Sequence, residues 1–367
     1  MSIGRIVLTG GGTAGHVTAN LALLPRLREM GAEVSYLGSY DGIERRLMEK
    51  EGVPYYGVDT GKLRRYRDLR NLTDPFHVIR GFFEAGRILK RIEPDILFSK
   101  GGFVAVPIVW AAYLRGIPVV SHESDMTPGL ANRLTLRCAR RICCNFPETV
   151  AKLPRGKAVL TGSPIREKLL KGSREAGLAM TGFSGEKPVL MAIGGSLGSL
   201  ALNRAFRKLL PELSESFDLV HICGKGNADP ALEGKEGYRQ YEYLTDGLRD
   251  LYALADLVIS RAGANVICEL LALKKPNILV PLPRDASRGD QILNAESFER
   301  QGFSMVLDQH EIERDEKKLL SSVQELYRDR ARYIASMEKA EKTSGLDAVL
   351  RVLIETAESG KAKGRRE

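Results

Sequence analysis

Along most of the chain, short continuous apolar runs alternate with longer amphipathic stretches. Continuous apolar runs belong to strands buried on both faces, and strand–helix–strand repetition makes such strands parallel. In the first half the predicted strands are 5–9, 33–37, 95–99, 118–121, 141–145 and 158–160. The pattern pauses over 161–187, a glycine-rich stretch that also holds Pro164. It resumes with strands at 189–193, 219–223, 241–244, 257–260 and 278–280; helical segments follow from about Arg314, and a basic tail runs from Lys361 to Arg366. The expectation is an α/β fold of two doubly wound, Rossmann-like domains facing a cleft. Residues 1–164 form the first domain, 165–187 a linker, 188–345 the second domain, and 346–367 a C-terminal helix and tail.

Composition narrows the class. A chain of 367 residues is long enough for two domains, and 43% hydrophobic with 28% charged residues is ordinary for a globular protein. The longest apolar stretch, 103–114, is interrupted by Pro107 and falls short of the ~18–20 residues a membrane span needs. The N-terminal segment lacks the features of a signal peptide, so the expected compartment is the cytoplasm. The five cysteines form no CxxC pair, which fits reduced thiols. The net charge of +9 is one-sided: 24 basic against 15 acidic residues up to Pro164, and 31 of each from Ile165 on. Such asymmetry points the first domain at an anionic surface, membrane or nucleic acid.

Each half opens alike, with IVLTGGGTAGH at 6–16 and VLMAIGGSLGS at 189–199. Glycine lets backbone approach a ligand, and free N–H groups at a helix start attract anions. A tight strand-to-helix turn can use glycine with no ligand, so either motif alone is weak. Gly10, Gly12 and Gly15 have the spacing of a dinucleotide fingerprint, but no ribose-binding acid closes the next strand. A nicotinamide-dependent dehydrogenase would also leave the second glycine loop unexplained. A third constellation, RAGANVICELLALKKPNILVPLP at 261–283, carries Glu269 on a helix after a strand end; RGDQILNA follows at 288–295. A carboxylate that accepts bonds from neighbouring sugar hydroxyls, with helix-start amides for phosphates, suits a nucleotide sugar.

Together these motifs resemble the GT-B glycosyltransferases, and within them the bacterial lipid I N-acetylglucosaminyltransferase family of peptidoglycan synthesis, Gram-positive type. The resemblance covers roughly residues 6–348. It includes GGTAGH at 11–16, FSKGGFVAVP at 98–107, IPVVSHESDMTPGLANR at 117–133, TGSPIRE at 161–167 and GGSLGS at 194–199. It implies transfer of N-acetylglucosamine from UDP-GlcNAc to undecaprenyl-pyrophosphoryl-MurNAc-pentapeptide, with inversion and without metal or other cofactor, at the cytoplasmic face of the cell membrane. Its implied donor contacts are Thr13, Ala14, Gly15, Arg166, Ser196, Leu244, Ala264, Glu269 and Gln291. His16 is implied beside the acceptor pyrophosphate, and His122, Glu123 and Asp125 on the acceptor side. The chain departs from the common family pattern at Ala14, where glycine is usual, and at Ser124–Asp125, where an amide pair is usual. It departs again at Asp290, where only Gln291 of a glutamine pair remains.

The reaction needs a base for the acceptor hydroxyl and stabilisation of the departing diphosphate. His16 is the candidate base, because imidazole titrates near neutrality; bonding only to loop backbone or to phosphate is the alternative. His122 is open between orienting the acceptor and filling a structural role. For anionic lipid, KLRRYRDLR at 62–70 and FHVIRGFFEAGRILKR at 76–91 mix bases with apolar side chains. Arg64, Arg65, Arg67, Phe82 and Phe83 are the expected membrane contacts, a solvated core-packing helix being the alternative. No nucleic-acid motif is present. Partners are then the sugar nucleotide, the lipid-linked acceptor, the anionic leaflet and other cell-wall proteins. Two further functions stay open: a glycosyltransferase of the same architecture acting on another lipid or small-molecule acceptor, and a non-catalytic membrane scaffold of the cell-wall machinery.

Overall fold

Strand β1 (Arg5–Thr9) shows how the first sheet is covered. Ile6 and Leu8 point to one face and Val7 to the other, and all three are fully buried. Ile6 and Leu8 pack with Leu23, Leu24 and Leu27 of the Ala14–Glu29 helix and with Val349, Leu350 and Leu353 of the Gly345–Gly364 helix. Val7 packs with Ala85 and Leu89 of the Asp74–Ile92 helix and with Ile108 and Ala112 of the Ala105–Leu114 helix. Each such side chain contributes about 1.5–3 kcal/mol by leaving water. Pro107 lies in the first turn of its helix, where a missing N–H breaks no ladder bond.

The computed structural model describes residues 3–61, 74–195, 198–244, 246–287, 289–340 and 344–364. These form two compact units, Met1–Arg166 with Thr343–Glu367, and Glu167–Lys342. In the first, β1 joins β2 (Glu33–Ser39), β3 (Tyr55–Val58), β4 (Ile96–Ser99), β5 (Val119–Glu123), β6 (Arg141–Cys144) and β7 (Ala158–Leu160). The order is β3-β2-β1-β4-β5-β6-β7, with all pairs parallel. The second sheet holds β8 (Val189–Ile193), β9 (Asp218–Ile222), β10 (Tyr238–Tyr241), β11 (Leu257–Ser260), β12 (Asn277–Leu279) and β13 (Met305–Val306). Its order is β10-β9-β8-β11-β12-β13, again parallel.

Strands expected at 5–9, 158–160, 189–193 and 257–260 lie at those residues, and most others shift by one or two. The strand expected at 241–244 is a correction, because β10 ends at Tyr241. A turn at Gly237 starts it early, with the Gly237 carbonyl accepting from Leu219 N at 2.8 Å. Tyr238 is then buried, its hydroxyl 2.9 Å from His221 Nδ1. The half-buried Arg239 and Gln240 hide the strand from an apolar-run reading. β3 and β13 escaped notice for a related reason, being a half-buried edge strand and a two-residue strand. Within 165–187, expected as a linker, the turn Glu167–Lys171 and the Arg174–Thr181 helix belong to the second unit.

Candidate active site

In a doubly wound sheet, ligands sit beyond the carboxyl ends of the strands, where the strand order reverses. In the first unit that point lies between β1 and β4. It is flanked by Gly10–Gly12 after β1 and Lys100–Gly102 after β4, and Gly11 N donates to Gly101 O across it at 3.4 Å. Gly102 takes φ +82°; a Cβ there would stand 2.2 Å from Gly11 O and 2.9 Å from His16 Nδ1. Only glycine allows the two loops to close this tightly.

His16 sits in the first turn of the Ala14–Glu29 helix, half-buried over these loops. Its Nδ1 is 2.8 Å from Gly11 O and 3.2 Å from Thr13 Oγ1. A carbonyl only accepts, so Nδ1 carries the hydrogen and Nε2 is the basic nitrogen of the neutral ring. Burial pushes its pKa below the ordinary imidazole value. The Gly11 bond and the charges of Asp125 and Glu44 oppose that shift, and the Lys100 charge adds to it.

Beneath the loops, at the end of β4, Lys100 is only 1% exposed. Its Nζ donates to His122 Nδ1 at 2.8 Å and to Ser124 Oγ. His122 Nε2 lies 3.1 Å from Gly162 O, so that nitrogen donates and Nδ1 accepts. Burial, with Lys100 beside it, holds the His122 pKa well below the imidazole range. Both ring nitrogens are therefore committed, which favours the structural side of the open alternative. Glu123 is buried too, accepting from Asp125 N (3.0 Å), Gly129 N (3.2 Å) and Asn132 Nδ2 (2.7 Å). Its burial pushes its pKa up to about 7. Asp125 is half-buried on the loop that Glu123 holds. Lys100 is the residue that sequence reasoning passed over, though its signal was legible: a lone lysine between a buried strand and a glycine pair.

The second unit repeats the plan, with its strand order reversing between β8 and β11. A cavity of about 980 Å³ opens there, lined in part by Gly194, Gly195, Ser199, Arg261, Gly263 and Gln291. Ser199 caps the Leu200–Lys208 helix, accepting from Leu202 N. Gly198 takes φ +76°, and a Cβ there would meet Cys223 O at 2.1 Å. The buried Arg261 donates to Val280 O (3.0 Å) and Gln309 Oε1 (2.8 Å), tying the ends of β11 and β12 together. Gln291, in the Asp290–Arg300 helix, accepts from Leu282 N at 3.1 Å. Ala264 opens the Ala264–Ala272 helix after Gly263, and Glu269 lies further along it, half-buried. Leu244 is half-buried, three residues beyond β10. Thr13, Ala14, Gly15 and the exposed Arg166 belong to the first unit. Ser196 lies outside the described residues, as do Arg64, Arg65 and Arg67. Among the described residues no cluster of three or more His, Cys, Asp or Glu is arranged to hold a metal.

The first unit also presents an apolar surface. On the Asp74–Ile92 helix, Phe76 (72% exposed), Ile79 and Phe83 (57%) face outward beside Arg80, Arg87 and Lys90. Phe82 is half-buried instead, lining a groove of about 370 Å³ with Ile79, Trp110, Tyr113 and Leu114. Sequence reading took 103–114 only as an apolar run, yet Tyr113 and Leu114 (71% exposed) extend the patch. Among the described residues no helix is long and apolar enough to cross a membrane.

Two parallel sheets, each with a glycine-bent loop and a helix start at its switch point, are the architecture of the GT-B glycosyltransferases. Residues 6–144 match the glycosyltransferase family 28 N-terminal domain and residues 189–351 the glycosyltransferase family 28 C-terminal domain. The chain belongs to glycosyltransferase family 28. It is 57% identical over 349 residues to the UDP-N-acetylglucosamine--N-acetylmuramyl-(pentapeptide) pyrophosphoryl-undecaprenol N-acetylglucosamine transferase of Lachnospira eligens, covering 95% of this chain and 98% of that one. To the same-named protein of Lachnoclostridium phytofermentans it is 54% identical, covering 96% and 98%. The crystal structure of Acinetobacter baumannii MurG superposes with a TM-score of 0.76 at 26% identity, covering 96% of this chain and 99% of that one.

Proposed function

We propose that the protein transfers N-acetylglucosamine from UDP-GlcNAc to undecaprenyl-pyrophosphoryl-MurNAc-pentapeptide (lipid I), releasing UDP and giving lipid II. One observation carries the reading. A chain similar over nearly its whole length to transferases named for that reaction has both switch-point loops built, with a neutral histidine over the first. His16 Nε2 takes the proton of the acceptor hydroxyl as its oxygen attacks the anomeric carbon. The bond to the UDP oxygen breaks on the opposite side, so the configuration inverts and UDP leaves with the electron pair. The Leu200–Lys208 helix start and Ser196 receive the diphosphate charge.

Glu269 accepts bonds from the donor sugar hydroxyls, Gln291, Arg166 and Ala264 add donor contacts, and backbone at Leu244 meets the uracil. Thr13, Ala14 and Gly15 are donor contacts on the family resemblance alone. Asp125 lies on the acceptor side, with His122 and Glu123 holding its loop. The sugar nucleotide is a substrate, and the reaction as written requires no cofactor. The apolar patch around Phe83, rimmed by bases and preceded in the sequence by the basic stretch 62–70, rests the first unit on the anionic cytoplasmic face of the membrane, where a lipid-linked acceptor lies.

The test is UDP release with a short-chain lipid I analogue, for the wild type and Glu269→Ala. The wild type is expected to release UDP only when that acceptor is present. Each charge-assisted hydrogen bond lost in the variant costs ~1.5–3 kcal/mol, or about ten- to hundredfold in kcat/KM for UDP-GlcNAc. Turnover with diacylglycerol instead would reassign the acceptor, and no UDP release with any acceptor would leave a scaffold.

A further inference from the structure

The mechanism above leaves the buried lysine of the first unit unused. Lys100 stands at the carboxyl end of β4, an interior strand of the first sheet, with its Nζ fixed by His122 Nδ1 and Ser124 Oγ and its backbone N donating to Thr9 O at 2.9 Å. Packing alone asks for an apolar side chain here, because burying an ammonium is costly even when it is hydrogen-bonded. Its neighbours show what the charge can act on. Gly101 and Gly102, next in the chain, close against Gly11 and the His16 ring. The charged groups acting on that ring come from three elements: Lys100 after β4, Asp125 after β5, and the fully buried Glu44 in the Ile43–Lys50 helix after β2. The two carboxylates favour a protonated ring, and Lys100 opposes them.

We propose that Lys100 is a positioning residue for His16: its fixed ammonium offsets Glu44 and Asp125 and so adds to burial in keeping the ring neutral as it meets the acceptor, with Nδ1–H on Gly11 and Nε2 free to take a proton. His122 and Ser124 serve this arrangement by locking the lysine from below. The inference rests on the transferase reading above only in its last step, where the neutral ring acts as base.

The experiment uses the full-length chain and two readouts. One is the NMR titration of the His16 ring; the other is the pH dependence of kcat/KM with a short-chain lipid I analogue. Lys100→Met removes the charge and keeps the length, whereas Lys100→Arg keeps the charge. Removing a cation makes protonation easier, so in Lys100→Met the His16 midpoint should rise by about 1 pH unit, a tenfold change in proton affinity. The acid limb of kcat/KM should rise with it, with most activity lost near pH 6 and little above pH 8. Lys100→Arg should hold both near wild type, and UDP affinity should be unchanged in both variants. Asp125→Asn is the converse variant and should lower the midpoint, which keeps the test available if Lys100→Met does not fold. A His16 midpoint that stays fixed in Lys100→Met, or in Asp125→Asn when that is the variant that folds, overturns the proposal. A midpoint that moves while the acid limb does not upholds the Lys100 role and overturns His16 as the base.

Discussion

His16 and His122 both lie at the carboxyl edge of the first sheet, yet their hydrogen bonds give them opposite chemistry. His16 donates from Nδ1 to Gly11 O and keeps a basic Nε2, whereas His122 spends one nitrogen on Lys100 and the other on Gly162. His16→Ala should therefore lower turnover by about 10²–10⁴-fold, far more than it weakens UDP binding. Because the His16 pKa is depressed, the ring stays neutral somewhat below pH 6.5, and kcat/KM should fall only below that pH. A pH–rate profile compared between wild type and variant checks both statements. Glu123 works the other way. Its folded pKa of about 7 lies above the ordinary carboxyl value, so the folded state holds its proton more tightly than the unfolded chain. The stability it contributes is full below about pH 4.5 and is lost as pH rises through 7, a change of about 3 kcal/mol. Denaturation of wild type and Glu123→Gln at pH 5 and 8 should show that decline in the wild type alone. The sequence named His16, His122 and Glu123 as candidates. The proton positions were not legible there, because they depend on carbonyls and a lysine contributed by other strand ends.

The Asp74–Ile92 helix carries two faces. Gly81, Ala85 and Leu89 are buried against the sheet, while Phe76, Ile79 and Phe83 stand in solvent among bases. The 76–91 pattern announced an amphipathic helix, but not which apolar side chains were left over. That depends on the neighbouring Ala105–Leu114 helix, which half-covers Phe82 and leaves Phe83 open. Phe83→Ser should weaken binding to anionic vesicles by about tenfold, for ~1.5 kcal/mol of lost apolar burial, and leave turnover of a soluble acceptor intact. Vesicle sedimentation with and without added salt separates this apolar part from the basic part supplied by Arg64, Arg65 and Arg67.

At the scale of the molecule, each unit has its own core, and the chain crosses back to complete the first. The Gly345–Gly364 helix places Leu346, Val349 and Leu353 in the same cluster as Ile6 and Leu8 of β1. Leu353→Ala should cost the first unit about 2–5 kcal/mol and lower its melting transition, while the melting transition of the second unit stays at the wild-type value. Local chemistry set much of this architecture in advance. Short continuous apolar runs bounded by turn residues read as doubly covered parallel strands, and glycines at strand ends let backbone bend toward a ligand. Hence two sheets, two glycine loops and the place of His16 beside the first of them could be read along the chain. What tertiary structure decided was every feature that depends on residues far apart in sequence. The return of the last helix to the first core, the burial of Lys100 under His16, the commitment of His122 and the outward face of Phe83 all arise from packing between elements. The physical reason is one of range. Strand periodicity and turn geometry are set by adjacent residues, whereas burial, charge coupling and the direction of a hydrogen bond are set by whatever the fold brings alongside.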